Sequence, residues 1–202
     1  MLKISEYLES IFARQRDFVS IEMGGNFIKL VEIASSNGNR EVVRLVKRPL
    51  APERAADNIK NIFESLNIPH RQVRLNIPRH LVTVRFSKLP STDDNEIKKM
   101  VRIEALKHVP YADEDVVSGY RIIEKQDDGY SNVLIAVTQA DTVRSQLAVL
   151  KKAGLSVESV SLGSEALLLW YLASLKPAEN VTVLLVNIEV GHVDIDVVAG
   201  DS

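Results

Sequence analysis

The chain has 202 residues, of which 46% are hydrophobic and 26% are charged, a composition typical of a folded globular protein. Its 27 acidic and 25 basic residues give a formal net charge of -2, which argues against nucleic-acid binding because that requires a clustered surplus of Lys and Arg. Cysteine is absent, which excludes disulfides, thiolate metal ligands and cysteine nucleophiles.

The first predicted element is an amphipathic lead helix over residues 1–17, with Leu2, Ile4, Leu8 and Phe12 on about one face. It either folds onto the body of the protein or docks on a membrane surface or partner. Neither this segment nor any later one has the about 20 apolar residues that cross a bilayer, and a signal-peptide pattern is missing. We therefore expect a cytoplasmic protein.

Residues 18–78 predict three strands, a helix and a fourth strand. Apolar runs at 18–23, 27–35 and 42–46 are separated by turns at Gly24-Gly25-Asn26 and Asn37-Gly38. Apolar residues recur at helical spacing over 52–66, and Val73, Leu75 and Ile77 alternate as a strand. This order is half of an RNase H-like α/β layer.

Residues 79–154 predict a small α+β module inserted into that layer. Its elements are a strand at 81–88, a helix at 93–108, strands at 116–125 and 130–138, and a helix at 140–153. Asp93 and Glu96 are a candidate capping pair for the first of these helices, and Pro110 explains why it stops.

Residues 155–202 are expected to return to the first layer. A linking strand at 157–160 and a helix at 164–174 precede the apolar run Val181–Val186, which predicts a strand buried on both faces. Its partner is Val193–Val198, reached through a turn at Gly191. The strand residues Asp194 and Asp196 share one face, where we expect them to be solvated.

Two segments echo each other, namely VSIEMGGNFIKLVEI at 19–33 and LLVNIEVGHVDIDVV at 184–198. Each is an apolar strand that ends in a polar residue, a turn containing glycine, and a returning strand. Glycine lets backbone N–H groups point outward without an obstructing Cβ, as in loops that cradle phosphate oxygens. Two facing loops of this kind would hold the phosphates of a nucleotide.

The first segment is similar to the phosphate-1 motif of the actin-like ATPase superfamily, and the second stands in the place of its phosphate-2 motif. LPSTDDNEIKKMVRIEALKHVPY at 89–111 resembles the signature of PilM proteins of type IV pilus assembly, and GLSVESVSLGSEAL at 154–167 resembles their following segment. The resemblance implies an actin-like subdomain 1A at 18–78 and 155–202, an inserted subdomain 1C at 79–154, and the absence of the second actin-like lobe.

The resemblance also assigns a nucleotide site, in which both loops of active relatives begin with Asp. Here these positions hold Glu22 and the neutral Asn187, which weakens Mg²⁺ binding, and Glu189 replaces a glycine where a phosphate would sit. We therefore expect a degenerate site, no resident ATP or Mg²⁺, and no enzymatic activity. The implied nucleotide-site residues are Glu22, Gly24, Gly25, Asn26, Lys29, Asn187, Glu189 and Gly191.

Resemblance to PilM further implies a scaffold at the cytoplasmic face of the inner membrane that contacts other pilus platform proteins. Its expected ligand is the N-terminal tail of a PilN-like membrane protein, lying extended in a groove between subdomains 1A and 1C. Strand 81–88 and helix 93–108 are predicted to contribute to this groove. Glu104 within the signature is either a surface or capping carboxylate or a partner contact.

Three alternatives remain open at this stage. They are the cytoplasmic actin-like domain of a type II secretion GspL protein, the division protein FtsA, and an ATP-binding PilM with weak ATPase activity in its full-length form. A metal site is not expected, because His70, His80, His108 and His192 are widely spaced along the chain.

Overall fold

The computed structural model describes residues 17–36, 39–69, 71–107, 109–175, 181–189 and 191–199. The predicted lead helix at 1–17 and the predicted turn at Asn37-Gly38 therefore lie outside the described residues, apart from Asp17. Within these ranges no helix combines the length and the apolar character needed to span a bilayer.

The larger sheet has five strands in the order β3-β2-β1-β4-β8. Strands β1, β2 and β3 form an antiparallel meander, and β4 and β8 run parallel to β1. In β1 the side chains of Val19, Ile21 and Met23 are buried, which places Ser20, Glu22 and Gly24 on the opposite face. The bounds are β1 (Phe18–Gly24), β2 (Phe27–Ser36), β3 (Asn39–Pro49), β4 (Gln72–Ile77) and β8 (Ser156–Leu162).

Two helices cover one face of this sheet. Helix α1 (Ala55–Ser65) follows a 3₁₀ turn at Pro52–Arg54, and the other helix, α3 (Ala140–Lys152), leads into β8. They bury their apolar stripes with the inward residues of the strands, because an amphipathic helix is stable only when that stripe is covered. The core contains, among others, Ile21, Leu30, Ile59, Leu75 and Leu150.

The smaller sheet has three antiparallel strands in the order β5-β7-β6. Its bounds are β5 (Thr83–Leu89), β6 (Val116–Lys125) and β7 (Ser131–Gln139). Helix α2 (Asp94–Leu106) packs on one face, where its buried residues Ile97, Val101 and Ala105 meet Val133 and Ile135 of β7. The module therefore has a second core of its own.

The N-terminus of α2 is capped as predicted at Asp93 but differently at Glu96. The Asp93 carboxylate accepts hydrogen bonds from the backbone N–H groups of Asn95 and Glu96 at 2.9 and 3.0 Å. Glu96 does not complete a reciprocal capping box; instead its carboxylate accepts from Ser91 Oγ at 2.6 Å, and Ser91 Oγ accepts from the N–H of Asp93 at 3.0 Å. The Ser91 hydroxyl thus links the Glu96 carboxylate to the backbone N–H of Asp93.

The inserted module predicted at 79–154 stays a prediction, and one of the helices in that range packs with the larger sheet. That range includes α3, yet Val143 and Leu150 of α3 belong to the core of the larger sheet. The reason is topological, since the parallel strands β4 and β8 require a crossover connection and α3 supplies its helix. By its packing, the module consists of the 3₁₀ turn at Arg79–Leu81 and the elements up to the end of β7.

The last described elements are helix α4 (Gly163–Ser174) and a hairpin of β9 (Thr182–Glu189) and β10 (His192–Ala199). Among the described residues the hairpin forms a sheet of its own and does not pair through its backbone with a strand of the larger sheet, to which 155–202 was assigned. The prediction of a strand buried on both faces at Val181–Val186 is wrong. The outer face of the hairpin carries six aliphatic side chains that are each more than half exposed: Leu184, Val186, Ile188, Val193, Ile195 and Val197.

Candidate functional site

A cleft of about 270 Å³ lies between the β1–β2 hairpin, the start of α4 and the inner face of the β9–β10 hairpin. Glu22, Gly24 and Lys29 line it from the first hairpin, and Asn187 and Glu189 line it from the last. The structure therefore brings together residues 160 positions apart that were predicted to share one site. Their role in nucleotide binding stays a prediction.

The β1–β2 turn fixes the first group of residues. Gly25 and Asn26 both have positive φ, 56° and 63°, as a tight two-residue hairpin turn requires. The turn sets the register in which Glu22 lies directly opposite Lys29. Gly25 and Asn26 do not themselves line the cleft, and Gly191, with a φ of 89°, plays the same conformational part in the β9–β10 turn.

Gly24 and Gly163 leave room for close neighbours at the cleft. A Cβ at Gly24 would lie 2.8 Å from Cγ of Pro78, and a Cβ at Gly163 would collide with a carboxylate oxygen of Glu22. Gly163 is the first residue of α4, so the Glu22 carboxylate sits beside the positive end of a helix dipole. Gly163 was not predicted as a site residue, although its place at the carboxyl end of a strand parallel to β4 is a known signal of a site in α/β sheets.

Lys29 is the electrostatic centre of the cleft. Its Nζ donates a hydrogen bond to Glu22 Oε1 at 2.8 Å and a second one to Glu189 Oε1. The amide of Asn187 lies on the far side of Glu189, with Nδ2 at 3.4 Å from the same oxygen. A cation from one hairpin is thus shared by carboxylates from two hairpins.

Hydrogen bonding shifts the protonation of Lys29 and Glu189 toward their charged forms. Burial by itself lowers the pKa of Lys29, but the hydrogen bonds to Glu189 and Glu22 outweigh it and the pKa of Lys29 is raised. Burial likewise opposes ionisation of Glu189, yet the Lys29 ammonium holds the pKa of Glu189 below its usual value. Both groups are therefore ionised at neutral pH.

Two histidines that are far apart in the sequence also line the cleft. The rings of His80 and His192 lie 4.1 Å apart between centroids, although 112 positions separate them in the chain. No group of three or more His, Asp or Glu side chains among the described residues is arranged to hold a metal ion. The absence of a metal site stays a prediction, and His70 and His108 lie outside the described residues.

Asp194 and Asp196 correct the expectation that this strand face is solvated. Both are partly buried on the inner face of β10, and Asp194 lines the cleft. Burial raises the pKa of Asp196, Arg79 opposes the rise, and the Asp194 carboxylate adds to it. In this hairpin the charged side chains face the cleft, and the six exposed aliphatic side chains face outward.

Glu104 lies away from the cleft, on α2 of the small module. Its carboxylate accepts a hydrogen bond from Lys107 Nζ at 2.7 Å, one helical turn further along. Glu104 thus has a local ion-pair partner near the C-terminus of its helix and does not line the cleft.

Comparison with known proteins decides the family. A family model described as type IV pilus assembly protein PilM matches residues 20–202. The chain belongs to the PilM family. The predicted resemblance is therefore confirmed over nearly all of the chain.

Solved structures confirm the predicted actin-like α/β fold. A chain of a PilM-PilN type IV pilus biogenesis complex matches with a TM-score of 0.82 and 22% identity over 93% of this chain and 59% of that one. The cytoplasmic domain of EpsL, an inner membrane component of the type II secretion system of Vibrio cholerae, matches with a TM-score of 0.57 and 14% identity over 91% of this chain and 71% of that one. A Bacteroides thetaiotaomicron protein with an actin-like ATPase fold and unknown function matches with a TM-score of 0.54 and 14% identity, over 94% of this chain and 68% of that one.

Proposed function

We propose that this chain is a docking scaffold of type IV pilus assembly that binds the N-terminal tail of a PilN-like membrane protein. The observation that carries the proposal is the PilM family match, together with the fold shared with a chain from a PilM-PilN complex. Binding of the tail would recruit the chain to the cytoplasmic face of the inner membrane, where other platform proteins meet it.

The surface proposed for the tail is the face of the small sheet that is turned away from α2. Val84 and Ala136 pair across β5 and β7 on this face and pack against the larger core. Phe86 and Leu134 form the next pair on the same face, and the Phe86 side chain is 75% exposed. A large exposed aromatic side chain next to a covered aliphatic one is a suitable anchor point for an apolar peptide residue.

The second wall of the proposed groove is formed by α4 and by β8, the edge strand of the larger sheet. Arg121 of β6 makes an ion pair with Glu165 of α4, so the small sheet is held next to this wall. Val160 of β8 is partly exposed, and an extended peptide can add to a free strand edge through backbone hydrogen bonds. Strand 81–88 is retained in the proposal, whereas α2 is not because it covers the opposite face of the small sheet.

The docking proposal is tested by titrating a fluorescently labelled PilN-type tail peptide with the protein and following its anisotropy. We expect saturable binding that Phe86→Ala weakens by roughly thirtyfold, as for an aromatic anchor in an interface. Ile103→Ala is the matched control, since Ile103 is a 64% exposed apolar residue on α2. Circular dichroism verifies that each variant is folded.

Two results would count against this proposal. The absence of saturable binding by a folded protein contradicts the docking function itself. An effect of Ile103→Ala without an effect of Phe86→Ala keeps the function but moves the groove to the α2 side.

We also propose that the chain does not hydrolyse ATP. The support comes from the cleft, where Glu22 and Glu189 present negative charge and Asn187 offers no carboxylate for a metal. The retained β1–β2 turn and the open volume of about 270 Å³ favour the alternative of an ATP-binding protein in longer form, and calorimetry with Mg-ATP separates the two.

A further inference from the structure

The attachment of the β9–β10 hairpin to the rest of the molecule is polar. Strand β10 packs against α4 and against the 3₁₀ turn at Arg79–Leu81. Among the described residues of the hairpin, Val198 is the hydrophobic side chain that is fully buried, and the other large aliphatic residues of β10 are exposed. Val183 and Leu185 on the inner face of β9 are partly buried, so burial of apolar area supplies only part of the attachment of this hairpin.

The ion pairs of Lys29 also attach the β9–β10 hairpin to the larger sheet. The ammonium stands between Glu22, its cross-strand neighbour, and Glu189, which belongs to β9. The three side chains are only 20 to 31% exposed, so their interaction is less screened than that of a surface pair. Without the ammonium, two carboxylates would face each other across the cleft and repel.

We infer that Lys29 is a built-in counter-ion that fastens the β9–β10 hairpin to the β1–β2 hairpin across the cleft. The hairpin is accordingly held in its docked position without a ligand. This inference concerns the fastening of the two hairpins and does not depend on peptide docking at the small sheet.

Hydrogen exchange of the full chain, followed by mass spectrometry, tests the inference. Lys29→Met retains most of the side-chain volume and removes the charge, and we expect amides of 182–189 and 192–199 to exchange roughly tenfold faster while those of β4 are unchanged. Lys47→Met is the matched control, because Lys47 is the neighbour of Lys29 on β3 and its ammonium lies over the Phe27 ring at 4.8 Å. This control is expected to leave exchange in the hairpin unchanged.

A rescue experiment separates charge from packing. Adding Glu189→Gln to Lys29→Met removes the repulsion between Glu22 and Glu189, so exchange in the hairpin should slow again by several-fold. A role of Lys29 limited to its methylene groups predicts no such recovery, and the absence of recovery would overturn the inference.

Two further outcomes decide the matter. If Lys29→Met accelerates exchange throughout the chain, Glu189→Gln alone is the deciding variant, and it must accelerate exchange in the hairpin without affecting β4. Protection of the wild-type hairpin by millimolar Mg-ATP would contradict the inference, because it would show that a nucleotide, rather than Lys29 alone, fastens the two hairpins.

Discussion

Leu75→Ala is expected to lower the free energy of unfolding by about 3 kcal/mol, in the range found for large-to-small changes in well-packed cores. Leu75 is 0% exposed and lies on β4, where it pairs with Ile21 of β1 and Val160 of β8. Its removal opens a cavity where strands on both sides hold the backbone, so the site has little freedom to collapse. Urea denaturation followed by circular dichroism measures the change.

The same substitution at Leu45 is the control. Leu45 is 76% exposed on the edge strand β3, so Leu45→Ala should change the free energy of unfolding by less than about 0.5 kcal/mol. The slope of the urea transition should be unchanged in both variants, because it reports the surface exposed on unfolding. Equal effects at the two positions would contradict the assignment of the core to the inner face of the five-stranded sheet.

Glu189→Gly is expected to improve the affinity for Mg-ATP by roughly thirtyfold over the wild type. At about 4 Å and an effective dielectric constant of 20, a carboxylate repels a phosphate charge by roughly 4 kcal/mol. Glu189 is partly exposed, so we expect about half of this energy to be recovered. Removal of its carboxylate also leaves Lys29 with Glu22 as its remaining carboxylate partner in the cleft, so that its ammonium can contact a phosphate group.

Isothermal titration calorimetry with Mg-ATP measures this change. Glu41→Gly, which removes the same charge from the exposed edge strand β3, should leave the affinity as it is in the wild type. Phosphate release is not expected from either variant, since Asn187 remains neutral. Tight Mg-ATP binding by the wild type would show that the site is intact, and would favour the ATP-binding alternative.

Local patterns in the sequence predicted the helices and strands well, because apolar residues recur with a different spacing in each type of element. The strand predicted at 116–125 is β6 with the same bounds, and the helix predicted at 140–153 differs from α3 by one residue. The first hairpin was also predicted, since the Gly25-Asn26 pair specifies a tight turn. These features depend on neighbours within a few residues.

The mispredicted features depend on contacts that no local pattern records. In VDIDVV at 193–198 the alternation is clear, but it does not state which face is inner, and the usual assumption that aliphatic residues point inward is wrong here. The same holds for α3, whose apolar stripe fits either core until the crossover between β4 and β8 is known. The proximity of His80 and His192 arises only when β10 packs against the Arg79–Leu81 turn.

The aliphatic outer face of the last hairpin also governs how this chain behaves in concentrated solution. A formal net charge of -2 gives copies of the chain little mutual repulsion. The six exposed aliphatic side chains of β9 and β10 form an apolar patch that favours association with other apolar surfaces. We therefore expect added charge on this strand pair to raise the solubility of the 202-residue chain more than a stronger core would.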